Sequence, residues 1–411
     1  MKILFVETSR SGVVGGSFLS LLELIRGLHG ERFHLFVLFY HDHHLANAFR
    51  EAGAEVFLFP FSSGGKASSR HSLSRSWLTS LAGRVVDLLG QRQNIGRLLS
   101  ARRQRDFAAY ARLLMDEHEI DILHINDGLT PGLPFISAAR RGVEVVVHER
   151  KIRSYARNER RCLNKVSKVI CISQAVERNF RSFFPTFGEV LTIHNPHATD
   201  FPAPGRSRET VVRKWGLPES SFLIVQVANL ISWKGQETAI RAMKEVAEVE
   251  PNAVLLLVGG TPPGEEVFEN RLRELAAESG LEGKVVFCGF QEEAGIYFQA
   301  ADIVVHTPTV PEPFGRVVLE AMQSGRPVIA SEGGGIEEIM ADGVHGYLVP
   351  AGAASVLASR VELLVSNPGL REEMGRAGRK RAMRDFSPRI TAEAVESVYW
   401  SLGSLRSVHK S

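Results

Sequence analysis

Two glutamates with seven residues between them, Glu312 and Glu320, bracket the segment of this chain best suited to chemistry. Glu312 leads into Pro313-Phe314-Gly315-Arg316-Val317, and Glu320 lies within the apolar-periodic run that follows. The pattern predicts a helix from Arg316 to Ser324, stopped by Gly325. Ahead of it, Asp302 to His306 reads as a short buried strand, and Pro308, Pro311 and Pro313 forbid regular structure in the loop between. A helix starting at the carboxyl end of a strand turns unsatisfied amides and a positive dipole end into the crevice there. A phosphate is the anion such a terminus binds. Glu320, about two turns below the helix start, and Glu312, just before it, are acceptors for paired hydroxyls of a ribose or hexose. Phosphate on amides and hydroxyls on acids together describe a sugar nucleotide.

Other residues fit the same chemistry. Lys234-Gly235 follows the strand Phe222 to Ala228 and opens a helix, where a lysine neutralises a diphosphate as a mobile point charge. Gly15-Gly16 lies between the strand Lys2 to Val6 and a helix from Ser17, and glycines there let backbone approach a ligand closely. Their spacing does not match G-x-G-x-x-G, so a dinucleotide is not indicated. His148 sits at the carboxyl end of the strand Glu144 to Val147, where open α/β sheets bind ligands. His124 has the same geometry and reads as shaping its loop.

The run E-P-F-G-x-x-x-L-E-A-M from Glu312 to Met322, with G-x-P-V-I-A and G-G behind it, resembles the E-x7-E signature of glycosyltransferase family 4. These are retaining enzymes of the two-Rossmann, or GT-B, architecture. The resemblance implies Glu320 on the ribose, and Lys234 with the backbone of Phe314, Gly315, Arg316 and Val317 on the phosphates. It implies Glu312 on sugar hydroxyls, His148 facing the donor sugar, and Gly15-Gly16 over the donor phosphates or the acceptor. Phe290, where the strand from Val285 opens onto Gln291, is the candidate wall for the base. On this reading His148, Glu312 and Lys234 form the catalytic group, and the lysine and helix terminus stabilise charge growing on the departing diphosphate. Two departures stand out. Asn229 occupies the place of the arginine in R-L-x-x-x-K-G, removing a cation and a bidentate donor for which Arg316 is a substitute. Pro196 replaces the glycine of an N-G-V/I-D turn after Asn195. No metal and no cofactor are implied; a nucleoside-diphosphate sugar is the donor substrate.

Alternating strand and helix signals along the chain give an α/β protein. The expectation is two Rossmann-like, doubly wound parallel-sheet domains facing across a cleft. Residues 1–199 make the acceptor-side domain, with a basic insertion at about 62–112. Residues 200–385 make the nucleotide-sugar domain, and 386–411 a helix crossing back to the first. Thr199 to Ser207, rich in Pro and Gly, is the expected linker. At 411 residues the chain exceeds one ordinary core.

The net charge of +3 hides an uneven distribution: residues 1–200 carry 27 Lys and Arg against 19 Asp and Glu. Ten of those cations fall between Ser62 and Arg112, against only Asp87 and Asp106. This insertion and the basic run at 150–168 fit peripheral contact with anionic lipid, as for an enzyme using a lipid-linked acceptor; a helix pair with a solvated basic face fits equally. Nucleic acid is disfavoured, because the arginines lack the regular aromatic interleaving of a base-stacking surface. Cys162, Cys171 and Cys288 are scattered and lack metal-ligand spacing. With an opening Met1 to Glu7 that meets charge at once, they lead us to expect a cytoplasmic protein. Two other readings share these features: a sugar-nucleotide epimerase of the same architecture, and a non-catalytic protein that binds nucleotide sugars or membrane surfaces.

Overall fold

A computed structural model describes residues 1–8, 15–28, 30–60, 92–139, 142–197 and 204–409. The serine-rich part of the insertion, the loop at 9–14 and most of the expected linker lie outside these residues. Among the described residues thirteen strands form two parallel sheets. The first has the order β3-β2-β1-β4-β5-β6-β7, made of Lys2–Glu7 (β1), His34–Phe39 (β2), Glu55–Leu58 (β3), Ile122–Ile125 (β4), Glu144–Glu149 (β5), Lys168–Cys171 (β6) and Val190–Thr192 (β7). The second has the order β10-β9-β8-β11-β12-β13. Its strands are Phe222–Val227 (β8), Ala253–Val258 (β9), Val285–Gly289 (β10), Ile303–His306 (β11), Val328–Ser331 (β12) and Gly346–Val349 (β13). In both orders the chain starts mid-sheet and winds outward both ways, so the expected doubly wound α/β architecture is present twice. Among the described residues no helix is long and apolar enough to cross a membrane.

Parallel strands covered on both faces read as unbroken apolar runs, and Ala-Val-Leu-Leu-Leu-Val of β9 is buried at every position. The helix Gln236–Val249 covers it with a helical-period stripe of Ala239, Ile240, Met243 and Val246. Leu255, Leu257, Ile303, Val305 and Ile329 complete that core from the strands.

The contacts divide the chain into two compact units. One comprises Met1–Val14, Gly30–Val147 and Arg157–Ser167; the other comprises Gly15–His29, His148–Ala156 and Lys168–Ser411. In the first unit an aromatic group of Tyr40, Phe59, Phe107 and Phe135 packs the long helix Arg92–Glu117. In the second, the last helix, Pro388–His409, lies against Gly16–Gly27, where Gly27 faces the Pro388 carbonyl and Ala392. The linker expected to run to Ser207 ends sooner: Pro204 already opens the helix Pro204–Lys214. Proline at a first helical position loses no needed N–H and has its φ pre-set, so Pro-Gly here starts a helix.

Candidate donor-nucleotide site

The second sheet delivers Glu312 by way of an irregular loop tied to its neighbours at several points. β11 ends at His306, and the chain stays irregular until Glu312 makes an isolated parallel bridge with Gly334. The Gly335 amide donates to the Glu312 carbonyl at 2.8 Å. Gly334 sits at φ +77°, and a Cβ there would fall 2.1 Å from that carbonyl oxygen. Only glycine lets the two backbones meet, and their meeting fixes the carboxylate.

Lys234 arrives from the turn after β8. Ser232–Lys234 is a single 3-10 turn, and Gly235 leaves it at φ +70° to cap the helix Gln236–Val249. The Thr307 hydroxyl donates to the Gly235 carbonyl at 2.8 Å, tying this turn to the end of β11. The result is an ion pair: Lys234 Nζ stands 2.8 Å from Glu312 Oε2, with the side chains 16% and 14% exposed. The ammonium also lies 3.9 Å above the Trp233 ring. His306, buried, brings Nε2 to 3.5 Å from the same carboxylate oxygen, within ion-pair reach but not aligned as a hydrogen bond. Burial alone pushes the Glu312 carboxyl up; the contacts with His306 and Lys234 outweigh it and hold the group at about 2.

Gly315, at φ +101°, starts the helix Arg316–Gln323. A glycine supplies no side-chain oxygen, and its carbonyl takes the Val318 amide at 2.9 Å, so the cap residue leaves the Arg316 and Val317 amides to other partners. Glu320 is the fifth residue of this helix, one turn below its start rather than the two expected, since a turn takes 3.6 residues. There it meets Arg316 at 3.5 Å and His197 Nε2 at 3.7 Å. The Arg316 guanidinium also donates to Ser20 Oγ at 2.9 Å and lies 3.8 Å from Glu23. Gly16 packs against the Arg316 side chain, where an added Cβ would sit 3.3 Å from Cδ. Arg316 is thus held between two acids.

A third group surrounds His148 at the carboxyl end of β5. Arg150 donates through Nη1 to Asn195 Oδ1 at 2.6 Å and places Nη2 3.4 Å from His148 Nδ1. All three side chains are buried.

Comparison with known proteins gives this geometry a family. Residues 207–381 match the family described as glycosyl transferases group 1, and residues 14–201 match glycosyltransferase family 4. The chain belongs to glycosyltransferase family 4. A D-inositol 3-phosphate glycosyltransferase of Corynebacterium aurimucosum is 33% identical over 239 residues, 56% of each chain. The putative glycosyltransferase EpsD of Bacillus subtilis is 33% identical over 186 residues, covering 45% of this chain and 47% of EpsD. The chain spans about half the length of these curated relatives. The same fold is seen in Anabaena HepE, crystallised with UDP and glucose, at a TM-score of 0.75 and 23% identity over 98% of this chain and 100% of that one. A Rickettsia africae glycosyltransferase gives 0.78 at 17% identity over 98% of both chains.

In this family 4 chain the residues singled out from sequence fall into separate groups. Glu312 and Lys234 meet directly; Gly16, Arg316 and Glu320 meet; His148 has its own partners. Phe314 is buried beside His194 and Phe386. Val317 follows Arg316 in the first turn of its helix. Gly15 precedes the helix Gly16–Gly27, and no heavy atom of the described residues lies within 4 Å of where a Cβ would go. Asn229 is exposed, its carbonyl accepting from Gln236 Nε2 at 2.8 Å. Phe290 is 76% exposed and lies against Gly260. His124 packs against Phe5 with ring centroids 4.9 Å apart and the rings tilted by 34°. Among the described residues no group of three or more His, Cys, Asp or Glu side chains is arranged to hold a metal ion. Sequence reading missed His306, Trp233, Glu23 and His197. The strand-end rule applied to His148 would have found His306, which closes β11 in the same way.

Proposed function

We propose that this protein is a retaining glycosyltransferase that moves a sugar from a nucleoside-diphosphate sugar to an acceptor hydroxyl. The observation that carries the reading is the Lys234–Glu312 ion pair beside a helix opened by Gly315, which sets a cation, an acid and first-turn amides in one place. Lys234 and the amides from Phe314 to Val317 take the diphosphate, Glu320 the ribose and Glu312 the sugar hydroxyls. His148 faces the donor sugar, Gly15-Gly16 the donor phosphates or the acceptor, Phe290 the base, and Asn229 stands where an arginine would meet the diphosphate. The chemistry is electrostatic: the lysine and the helix terminus stabilise charge on the leaving diphosphate. UDP is the first nucleotide to try, given the UDP and glucose bound by Anabaena HepE.

The acceptor class we favour is a lipid-linked or surface-polysaccharide precursor, met by a cytoplasmic protein docked peripherally on anionic membrane. Exposed Lys151, Arg157, Arg160, Arg161 and Lys165 support that docking. The test is turnover: the protein is incubated with a panel of UDP-, GDP- and ADP-sugars and candidate acceptors, and free nucleoside diphosphate is measured. Acceptor-dependent release is expected, with Lys234→Met lowering it by about 10²–10³-fold. Acceptor-independent conversion of the donor into its epimer would replace this reading with an epimerase. Binding to anionic vesicles without binding to any sugar nucleotide would leave a non-catalytic protein.

A further inference from the structure

One charge in this site lacks an account once a diphosphate is bound. Glu312 is an ionised, largely buried carboxylate whose hydrogen-bonded cation is Lys234. The proposed function asks the same ammonium to meet a diphosphate, so one cation would then serve two anions. A buried carboxylate stripped of its partner is costly, and a diphosphate close by adds like-charge repulsion. Another positive charge has to come from within reach.

His306 is the group placed to supply it. It is 1% exposed at the end of β11, and its Nε2 stands 3.5 Å from Glu312 Oε2. Neither ring nitrogen has a hydrogen-bond partner among the described residues. The charged groups it faces are Glu312, from the loop after β11, and Lys234, from the turn after β8. Next to it Thr307 and Gln226 are neutral and bonded to each other and to the Lys234–Gly235 backbone. While Lys234 neutralises Glu312, a charge on the imidazole shares one carboxylate oxygen with the ammonium and gains less than a full pair. When the ammonium is shared with a diphosphate, it gains a full ion pair.

We infer that His306 is a positioning residue that takes a proton from solvent as the nucleotide binds and holds the Glu312 carboxylate in Lys234's stead. The inference rests on the proposed nucleoside-diphosphate site. No bond breaks elsewhere: one proton moves from buffer to the imidazole, and the donor-loaded site carries Glu312 paired with His306 and Lys234 paired with phosphate.

The experiment is calorimetric titration of UDP into the full-length protein near neutral pH, in buffers of different ionisation enthalpy. The expected result is a heat that depends on the buffer, with up to about one proton taken up per UDP bound, and no such dependence in His306→Asn or His306→Gln. A residue that merely fills space would leave proton uptake unchanged when replaced. UDP binding with equal heats in every buffer overturns this inference and leaves the donor site intact. Failure of UDP, GDP and ADP alike to bind overturns both. A second measurement needs neither nucleotide nor a change at His306. In Lys234→Met, the His306 ring resonance should move toward the protonated position at neutral pH; an unmoved resonance also overturns the inference.

Discussion

Each sheet carries a buried histidine at or next to the end of a strand, and the two histidines have opposite neighbours. His306 closes β11 beside a carboxylate, whereas the histidine near the end of β5, His148, faces a guanidinium. Strand-end position alone therefore does not settle what an imidazole does. Beside Glu312 an added proton is rewarded, so His306 can trade charge with Lys234. Beside Arg150 a proton on Nδ1 would point at a group that only donates. That ring is held as a neutral acceptor on one edge, and Asn195 holds the guanidinium in turn at 2.6 Å. One site is arranged to change charge, the other to keep a fixed hydrogen-bonding pattern.

The sharpest way to break the difference is to spoil the backbone that brings Lys234 to Glu312. Gly235 has φ +70°, and a Cβ there would lie 1.7 Å from the Thr307 carbonyl oxygen. Gly235→Ala should destabilise the fold by about 3 kcal/mol or more, read from urea denaturation. A loss below about 1 kcal/mol would show that the turn relaxes freely and does not fix the lysine.

Acid sensitivity is the next largest effect. The Glu312 carboxyl is depressed from an ordinary 4.5 to about 2, because His306 and Lys234 overcome the burial that would raise it. A depressed carboxyl contributes stability that is complete above the unfolded value and disappears as pH falls through the folded one. The window is therefore about pH 4.5 down to about 2. The contribution is on the order of 3 kcal/mol at most. Stability against pH should fall less steeply in Glu312→Gln across that window, and equal slopes in the two proteins would deny the pair its role. Around His148 the corresponding change is smaller. Arg150→Met leaves Asn195 Oδ1 buried without this donor, which should cost about 1–3 kcal/mol in the same denaturation measurement. No measurable cost would mean that water replaces the guanidinium.

The two regions also differ in how much of them sequence could reveal. The Glu312 to Glu320 spacing carried the helix, its glycine start and both acids, because one local segment encodes them all. Lys234-Gly235 was legible for the same reason, as a glycine turn between strand and helix. Their direct contact was not, since nothing in a linear chain says that a lysine 78 positions earlier meets Glu312. His306 is not legible in this way, because it closes a buried apolar strand and its partner Glu312 comes only after an irregular, proline-rich loop. Arg150 lay two residues beyond His148 in plain view, but its partner Asn195 is 45 positions away. Pro204-Gly205 misled in the other direction: composition suggested a linker where position made a helix start. Pattern reports what a segment is, and long-range pairing decides what it touches.

The smallest expected effect is also the most specific to the first sheet. A guanidinium has no lone pair to offer, so the Arg150 contact at 3.4 Å requires Nδ1 of neutral His148 to be the acceptor. The ring hydrogen then sits on Nε2, which is the donor edge of the ring. Nitrogen-15 shifts of the histidine ring should show the Nε2–H tautomer in the native protein. In Arg150→Met the preference should weaken by no more than about 1 kcal/mol, the scale of one hydrogen bond, so both tautomers become visible. In Arg150→Lys, another donor-only cation, the Nε2–H form should persist wherever the shorter side chain still reaches Nδ1. A native ring already in the Nδ1–H form would remove the contrast between the two histidines, since Arg150 would then be a neighbour of His148 and not its orienting partner.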